Sequence, residues 1–339
     1  MKAMVLRRIS SVEDKPLELA DLPEPEPGQG EVQVRVSACG VCHTEIDEIE
    51  GRLAPSRFPM VLGHEIVGRV TELGPGAGKF KTGDRLGIAW INRACGRCPF
   101  CVRGDENLCD RAKWTGKDAY GGYAQYTVVS EDFAYPIPEG FTDIGAAPLL
   151  CAGVIGYRAL RLSGMQDGRV LGLYGFGASA HVVLQVARHL YPRCRVFVFS
   201  RSHQKEHHDL ARQLGADWIG APTDTAPERL DCAIDFTPAG EPVREALRNL
   251  QKGGRVVVNA IRKVNPIPEL DYAEHLWHEK ELKSVANVTR RDAEEFLPLA
   301  AQIPIVPETQ EFPLEQANEA LVLLKEGAIR GAAVLRIPE

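Results

Sequence analysis

The stretch RVLGLYGFGASAHVVLQVARHL, Arg169–Leu190, decides the fold. An apolar run of strand length ends at Gly175-Phe176-Gly177-Ala178-Ser179-Ala180 and opens an amphipathic helix. A G-x-G-x-x-G/A pattern is weak alone, but between a strand and a helix it has the context that holds a dinucleotide pyrophosphate. Gly175 allows the tight turn, Gly177 lets the backbone approach the pyrophosphate, and Ala180 permits helix–strand packing. The helix N-terminus then attracts the phosphates.

Outward from this stretch, residues from about 152 onward alternate strands and helices. CRVFVF, LDCAIDFT, GGRVVVNA and LKSVANV read as strands, separated by helical spans such as GEPVREALRNLQKGG. That alternation predicts an α/β domain with a doubly wound parallel sheet, and these runs fit the six-stranded order expected of that fold. The strand CRVFVF runs into Ser200-Arg201-Ser202 with no acid at its tip. Asp or Glu there would hydrogen-bond the ribose 2′-hydroxyl of NAD(H), whereas Arg accommodates a 2′-phosphate, so Ser200 and Arg201 point to NADP(H). A surface turn with an incidental Arg is the plainer alternative. The HQKEHH run that follows begins a helix, and loops after Phe236 and Asn259 are expected to line the nicotinamide.

Upstream the texture is different. EVQVRV alternates with period two after the Pro/Gly-rich PEPEPGQG, and GHEIVGRVTELG, GDRLGIAW and GGYAQYTVV continue a barrel-like all-β pattern. The chemical residues sit between these strands, on expected loops and strand ends. Cys39–Gly68, CGVCHTEIDEIEGRLAPSRFPMVLGHEIVG, places Cys42 and His64-Glu65 in one segment. A thiolate, an imidazole and a carboxylate suit a borderline-soft ion such as Zn²⁺. Farther on, Cys95, Cys98, Cys101 and Cys109 are spaced C-x2-C-x2-C-x7-C. Four thiolates with no open position read as a closed structural zinc site, with an iron–sulfur cluster as the rival.

GVCHT, GHEIVGRV, CGRCPFC and YGFGASAH, in this order, resemble the zinc-dependent medium-chain alcohol dehydrogenases, in their propanol-preferring and cinnamyl-alcohol-like branch, over nearly the whole chain. The resemblance implies a GroES-like β-barrel catalytic domain with two zinc sites at 1–151, a Rossmann domain at 152–290, and a return segment at 291–339 that completes the first domain. The cofactor would lie between the two domains. It implies a catalytic zinc held by Cys42, His64 and Cys151 with a fourth position open, and Glu65 as either a resting-state ligand or a nearby charge. Glu45 stands where relatives usually carry the Asp that orients the zinc-bound imidazole. Thr44 would accept the alcohol proton. Relatives often pass that proton to a His five residues after the first Cys ligand, where this chain has Asp47; either Asp47 takes it, directly or through water, or it leaves by another path. His43 is a candidate phosphate contact.

The solvated-acid reading of Asp47, within the acidic run EIDEIE, stands equally open. Trp90 and Trp114 are expected chiefly in core packing, with Trp90 nearer the substrate. Where many relatives carry a pyrophosphate-binding Gly-Arg, this chain reads Arg330-Gly331-Ala332, and that contact is not carried over. Cys39 and Cys42 form a CxxC, but nothing near them reads as a thioredoxin-like unit. Cys194 and Cys232, in apolar runs, read as small buried hydrophobes.

The implied activity is reversible oxidation of a primary alcohol or reduction of its aldehyde with NADP(H) or NAD(H), using two Zn²⁺ per subunit. A secondary-alcohol or polyol dehydrogenase shares the same ligands. A cofactor-binding module without turnover, or a zinc-ribbon interaction module at Cys95–Cys109, are readings of other classes. The 339 residues allow two domains, and 44% hydrophobic with 25% charged residues is the balance of a globular enzyme. A net charge of −6 carries no nucleic-acid footprint and disfavours an anionic membrane. No apolar run reaching the roughly 20 residues of a spanning helix is evident. MKAMVLRRIS lacks the apolar core of a signal peptide, and nine cysteines suit a reducing cytoplasm. Relatives lead one to expect a homodimer or homotetramer.

Overall fold

The computed structural model describes residues 1–201, 205–303, 305 and 307–338, and these form two compact units. The first unit comprises Met1–Cys151, Asn287–Ala301 and Val306–Glu339. Its main sheet has seven strands. Ala134–Pro136, Arg85–Ile88, Ile66–Leu73, Glu31–Val41, Ala332–Arg336 and Thr309–Pro313 lie side by side, and Tyr126–Ser130 also pairs with Glu31–Val41. All pairings are antiparallel except that between Ala332–Arg336 and Thr309–Pro313. The period-two alternation of EVQVRV does its expected work: Val32, Val34 and Val36 are buried with Ile66, Leu86 and Ile88 in one core. A short three-stranded sheet closes around Lys2–Leu6.

The second unit comprises Ala152–Ala286 and Gln302–Ile305. Its six strands are all parallel, in the order Trp218–Gly220, Arg195–Phe199, Val170–Tyr174, Leu230–Asp235, Leu250–Val258, Glu281–Ser284. Strand order therefore reverses beside Val170–Tyr174, which is where open α/β sheets place their ligand crevice. Every residue of Val170–Tyr174 is buried, as a strand covered on both faces requires. The following helix, Ala178–Leu190, buries Ala180, Val183, Leu184 and Ala187.

One sequence expectation fails here. Asp143–Ser163 is 21 residues long and apolar enough, by composition, to cross a membrane. The charged Arg158 and Arg161 hide that run in the sequence. Its helical course is broken at Cys151, whose φ of −121° and ψ of −77° are not helical, and Ala146, Leu149, Leu150, Val154 and Leu160 are buried inside the protein.

Candidate active site and metal centres

His43–Ile49 is a seven-residue helix. Cys42 is its N-cap, and the Cys42 amide donates to Glu45 Oε2 at 2.8 Å. Thr44, Glu45 and Asp47 therefore stand on a helix, not on the loops and strand ends expected from the sequence. The acidic run is not solvated either. Glu45, Asp47 and Glu48 are at most 1% exposed. Each buried acid has a different answer to its burial. Glu45 Oε1 lies 2.6 Å from His64 Nδ1. Asp47 Oδ1 accepts from Arg52 Nε and Nη2, both at 2.6 Å. Glu48, which sequence reasoning passed over, has no hydrogen-bond partner for either oxygen among the described residues. Burial, reinforced by the Glu45 charge, pushes the Glu48 carboxyl well above its ordinary range.

The Glu45 bond fixes His64. A carboxylate on Nδ1 favours the proton there, which leaves Nε2 as the lone-pair nitrogen. Ligand atoms of Cys42, His64, Glu65 and Cys151 all lie within 4.8 Å of one another, and the Cys42 and Cys151 sulfurs are 4.0 Å apart. Tetrahedral zinc with Zn–S near 2.3 Å places two sulfurs about 3.8 Å apart, so the donor set fits that ion. The two thiols divide their protons unequally. Their mutual hydrogen bond is the chief cause that holds Cys42 well below the usual thiol range and Cys151 well above it.

Two glycines make room for this cluster. Gly63 has φ +97°, and a Cβ there would meet the Tyr123 ring at 2.5 Å and Cys39 Sγ at 2.8 Å. At Gly40 a Cβ would lie 1.9 Å from Glu65 Oε2. Glu65 thus reaches its place across a bare backbone, and burial raises its carboxyl well above the ordinary range. Cys39 is fully buried with its sulfur against Gly63 and Gly122, and both cysteines of the CxxC are free. Thr44 is 4% exposed with Oγ1 3.6 Å from Cys42 Sγ. His43 is exposed at the helix start. Trp90 packs on Trp114, with ring centroids 4.7 Å apart, and its ring centroid is 6.1 Å from that of His64.

The second cluster is compact. Sulfurs of Cys95, Cys98, Cys101 and Cys109 lie within 4.8 Å of one another. That is the span of one tetrahedral ion, which favours zinc over a multi-iron cluster. Backbone amides aim at these sulfurs, with Cys98 N 3.4 Å from Cys95 Sγ and Cys101 N 3.5 Å from Cys98 Sγ. The amides of Arg97 and Cys98 lower Cys95 to about 6, while burial lifts Cys101 to about 12.

In the second unit, Gly175 has φ +83° and its amide donates to Phe199 O at 2.7 Å. Gly177 is the helix N-cap with no side-chain cap, and a Cβ there would meet nothing within 4 Å. Ala180 is fully buried. Ser200 is buried and its amide donates to Gly220 O at 2.9 Å, whereas Arg201 is exposed. Ser202, His203 and Gln204 lie outside the described residues. Cys194 and Cys232 are buried. A further pair was not legible in the sequence: Lys263 Nζ donates to the buried Asp235 carboxylate, and to Thr237 O at 2.6 Å. It ties together the loops that follow the Leu230–Asp235 and Leu250–Val258 strands.

Residues 28–139 match the alcohol dehydrogenase GroES-like domain. The chain is 44% identical, over 99% of its length and 97% of the relative, to a probable alcohol dehydrogenase of Mycobacterium tuberculosis. It is 33% identical to an alcohol dehydrogenase of Geobacillus stearothermophilus, over 99% of this chain and all of that one. Among solved structures, a cinnamyl alcohol dehydrogenase of Sorghum bicolor superposes with a TM-score of 0.85 at 28% identity, covering 99% of this chain and 97% of the other. With one compact thiol-rich site per motif, a six-stranded dinucleotide-binding sheet and these full-length likenesses, the chain belongs to the zinc-dependent medium-chain alcohol dehydrogenase family.

Proposed function

We propose that this protein interconverts a primary alcohol and its aldehyde with NADP(H), using one zinc at Cys42, His64 and Cys151 and another at Cys95, Cys98, Cys101 and Cys109. The observation that carries the reading is the convergence of Cys42, His64, Glu65 and Cys151 within 4.8 Å, beside the hydroxyl of Thr44. When bound, zinc supplies Lewis acidity at the substrate oxygen and the nicotinamide accepts or returns the hydride. The chain supplies the rest. Thr44 takes the proton of the alcohol hydroxyl, and Asp47, positioned by Arg52, receives it directly or through water. Glu45 keeps His64 in the ligating tautomer, and Glu65 stands at the same centre either as a resting-state ligand or as a nearby charge. Gly175, Gly177 and Ala180 seat the pyrophosphate, His43 contacts a phosphate, and Ser200 with Arg201 receives the 2′-phosphate.

The proposed divisions at 151/152 and 290/291 are supported by compact units that change over at Cys151/Ala152 and Ala286/Asn287. A homodimer or homotetramer is supported by the sheet edge at Glu281–Ser284, exposed at every residue, and by exposed Val264, Tyr272, Trp277 and Leu282 around it in sequence. The cytoplasmic reading rests on nine cysteines that are all free.

The test follows nicotinamide absorbance with zinc-replete protein, NADP⁺ or NAD⁺, and a panel of primary, secondary and polyol alcohols. Turnover of primary alcohols that disappears in Cys42→Ala is the expected result. Better turnover of polyols would replace the substrate class and keep the chemistry. No turnover of any alcohol or aldehyde would leave a cofactor-binding module.

A further inference from the structure

We propose that the four-cysteine lobe caps a helix far away in sequence, so that metal occupancy at Cys95, Cys98, Cys101 and Cys109 governs the order of the first turn of Arg290–Gln302. The inference rests on reading those cysteines as a zinc site.

Glu106 is the link. It lies three residues before Cys109, in the single turn Glu106–Leu108, and is only 2% exposed although it is a glutamate. Its backbone is tied to the metal loop, because the Cys109 amide donates to Glu106 O at 3.1 Å. Its side chain faces the other way. Oε1 accepts the backbone amide of Arg290 at 2.7 Å and Arg290 Nε at 3.3 Å, across a sequence separation of 184 residues.

Arg290 is the first residue of its helix. First-turn amides of a helix have no partner within it, and a carboxylate there also meets the positive end of the helix dipole. The helix covers other donors locally: Thr289 N and Oγ1 donate to Asp292 Oδ2 at 2.8 and 2.7 Å, and Asp292 N donates to Thr289 Oγ1 at 3.3 Å. The amide of Arg290 is left to Glu106. This helix matters to the first unit, because it buries Ala293, Phe296, Leu297 and Ala300.

The lobe carries little regular structure among the described residues. Its regular structure is one short helix, Pro99–Val102, and one turn, with Val102 75% exposed. For such a loop, metal binding free energy is folding free energy. Emptying the site therefore frees Glu106, and the distant helix loses its cap.

The test is hydrogen exchange with mass spectrometry on the full chain carrying Cys42→Ala, which leaves zinc only at the four-cysteine site, with metal content measured alongside. Removing that zinc with a chelator should speed exchange at residues 290–292 about tenfold, the effect of losing a cap, while Val170–Tyr174 keeps its protection. Glu106→Ala should produce the same increase with zinc still bound, and Arg290→Ala, which keeps the amide, should change it much less. Unchanged exchange after verified zinc loss overturns the inference. If Glu106→Ala does not fold, Glu106→Gln takes its place; it keeps an acceptor oxygen, loses the charge and should give a smaller increase, and no increase counts against the proposal. Absence of zinc from the purified Cys42→Ala protein overturns the site reading and the inference with it, an outcome the metal content alone identifies.

Discussion

Glu45 and His64, nineteen residues apart, share a 2.6 Å hydrogen bond between side chains that are both sealed from solvent. The bond makes the carboxylate responsible for which imidazole nitrogen faces the sulfur pair. Glu45→Ala should lower zinc affinity and turnover about 10- to 100-fold, as loss of such partners does elsewhere. Glu45→Asp, the residue relatives usually carry, should restore part of both. Zinc titration against a chromophoric chelator reads the first effect and kcat the second; normal zinc affinity in Glu45→Ala would refute the role.

Glu48 makes an unusual stability prediction. Its folded-state carboxyl is raised by burial and by Glu45. The folded protein therefore binds that proton more tightly than the unfolded chain does. Its favourable contribution is complete below the unfolded value, about 4.3, and is lost as pH rises through the folded value. Glu48→Leu should raise stability by about 1–3 kcal/mol near neutral pH, the cost of an unpartnered buried polar group, and flatten the decline above pH 4.3 or so. Urea unfolding at several pH values checks both.

Gly63→Ala should be among the costliest single-methyl additions in the chain. The new Cβ would sit 2.5 Å from the Tyr123 ring at a φ of +97°. A loss of more than about 2 kcal/mol is expected from steric overlap and left-handed strain together. Because His64 is the next residue, zinc content should fall as well. A variant with wild-type stability and full zinc would show that the Tyr123 ring yields.

Arg201→Ala should reverse or erase any advantage of NADP⁺. Loss of a charge-assisted contact to a 2′-phosphate is worth about 1.5–3 kcal/mol, or roughly 10- to 150-fold in the ratio of kcat/KM values. NAD⁺ turnover should stay within about twofold, since only the phosphate contact is removed. An unchanged ratio would make Arg201 an ordinary surface residue.

How much of this was readable beforehand depended on the range of each interaction. The four-cysteine set was readable because thiols at fixed spacing have few other uses, whereas Cys151 joined Cys42 and His64 only through the family resemblance; five strands of the parallel sheet were readable as local apolar runs, and the short Trp218–Gly220 was not. The helix His43–Ile49 was not. Seven residues are too few to display a period, and its acids look solvated until His64 and Arg52 are brought to Glu45 and Asp47. Asp235 with Lys263, and Glu106 with Arg290, are unremarkable charges in the sequence because each partner arrives from another part of the fold. The Asp143–Ser163 run was missed for a simpler reason: two arginines mask its apolar length.

The place of Ala332–Arg336 in the main sheet has a consequence for biosynthesis. Every proposed zinc ligand has been synthesised once Cys151 is added, and residues 152–286, which follow, assemble their parallel sheet without interruption. Along one side of Glu31–Val41, however, only residues 31–35 are paired early, with Tyr126–Ser130; residues 38–41 wait for the late strand. A nascent chain therefore carries an unpaired edge running straight into Cys42 for most of its synthesis. In that interval mispairing with another chain, or oxidation of an unmetallated thiol, competes with maturation of the enzyme.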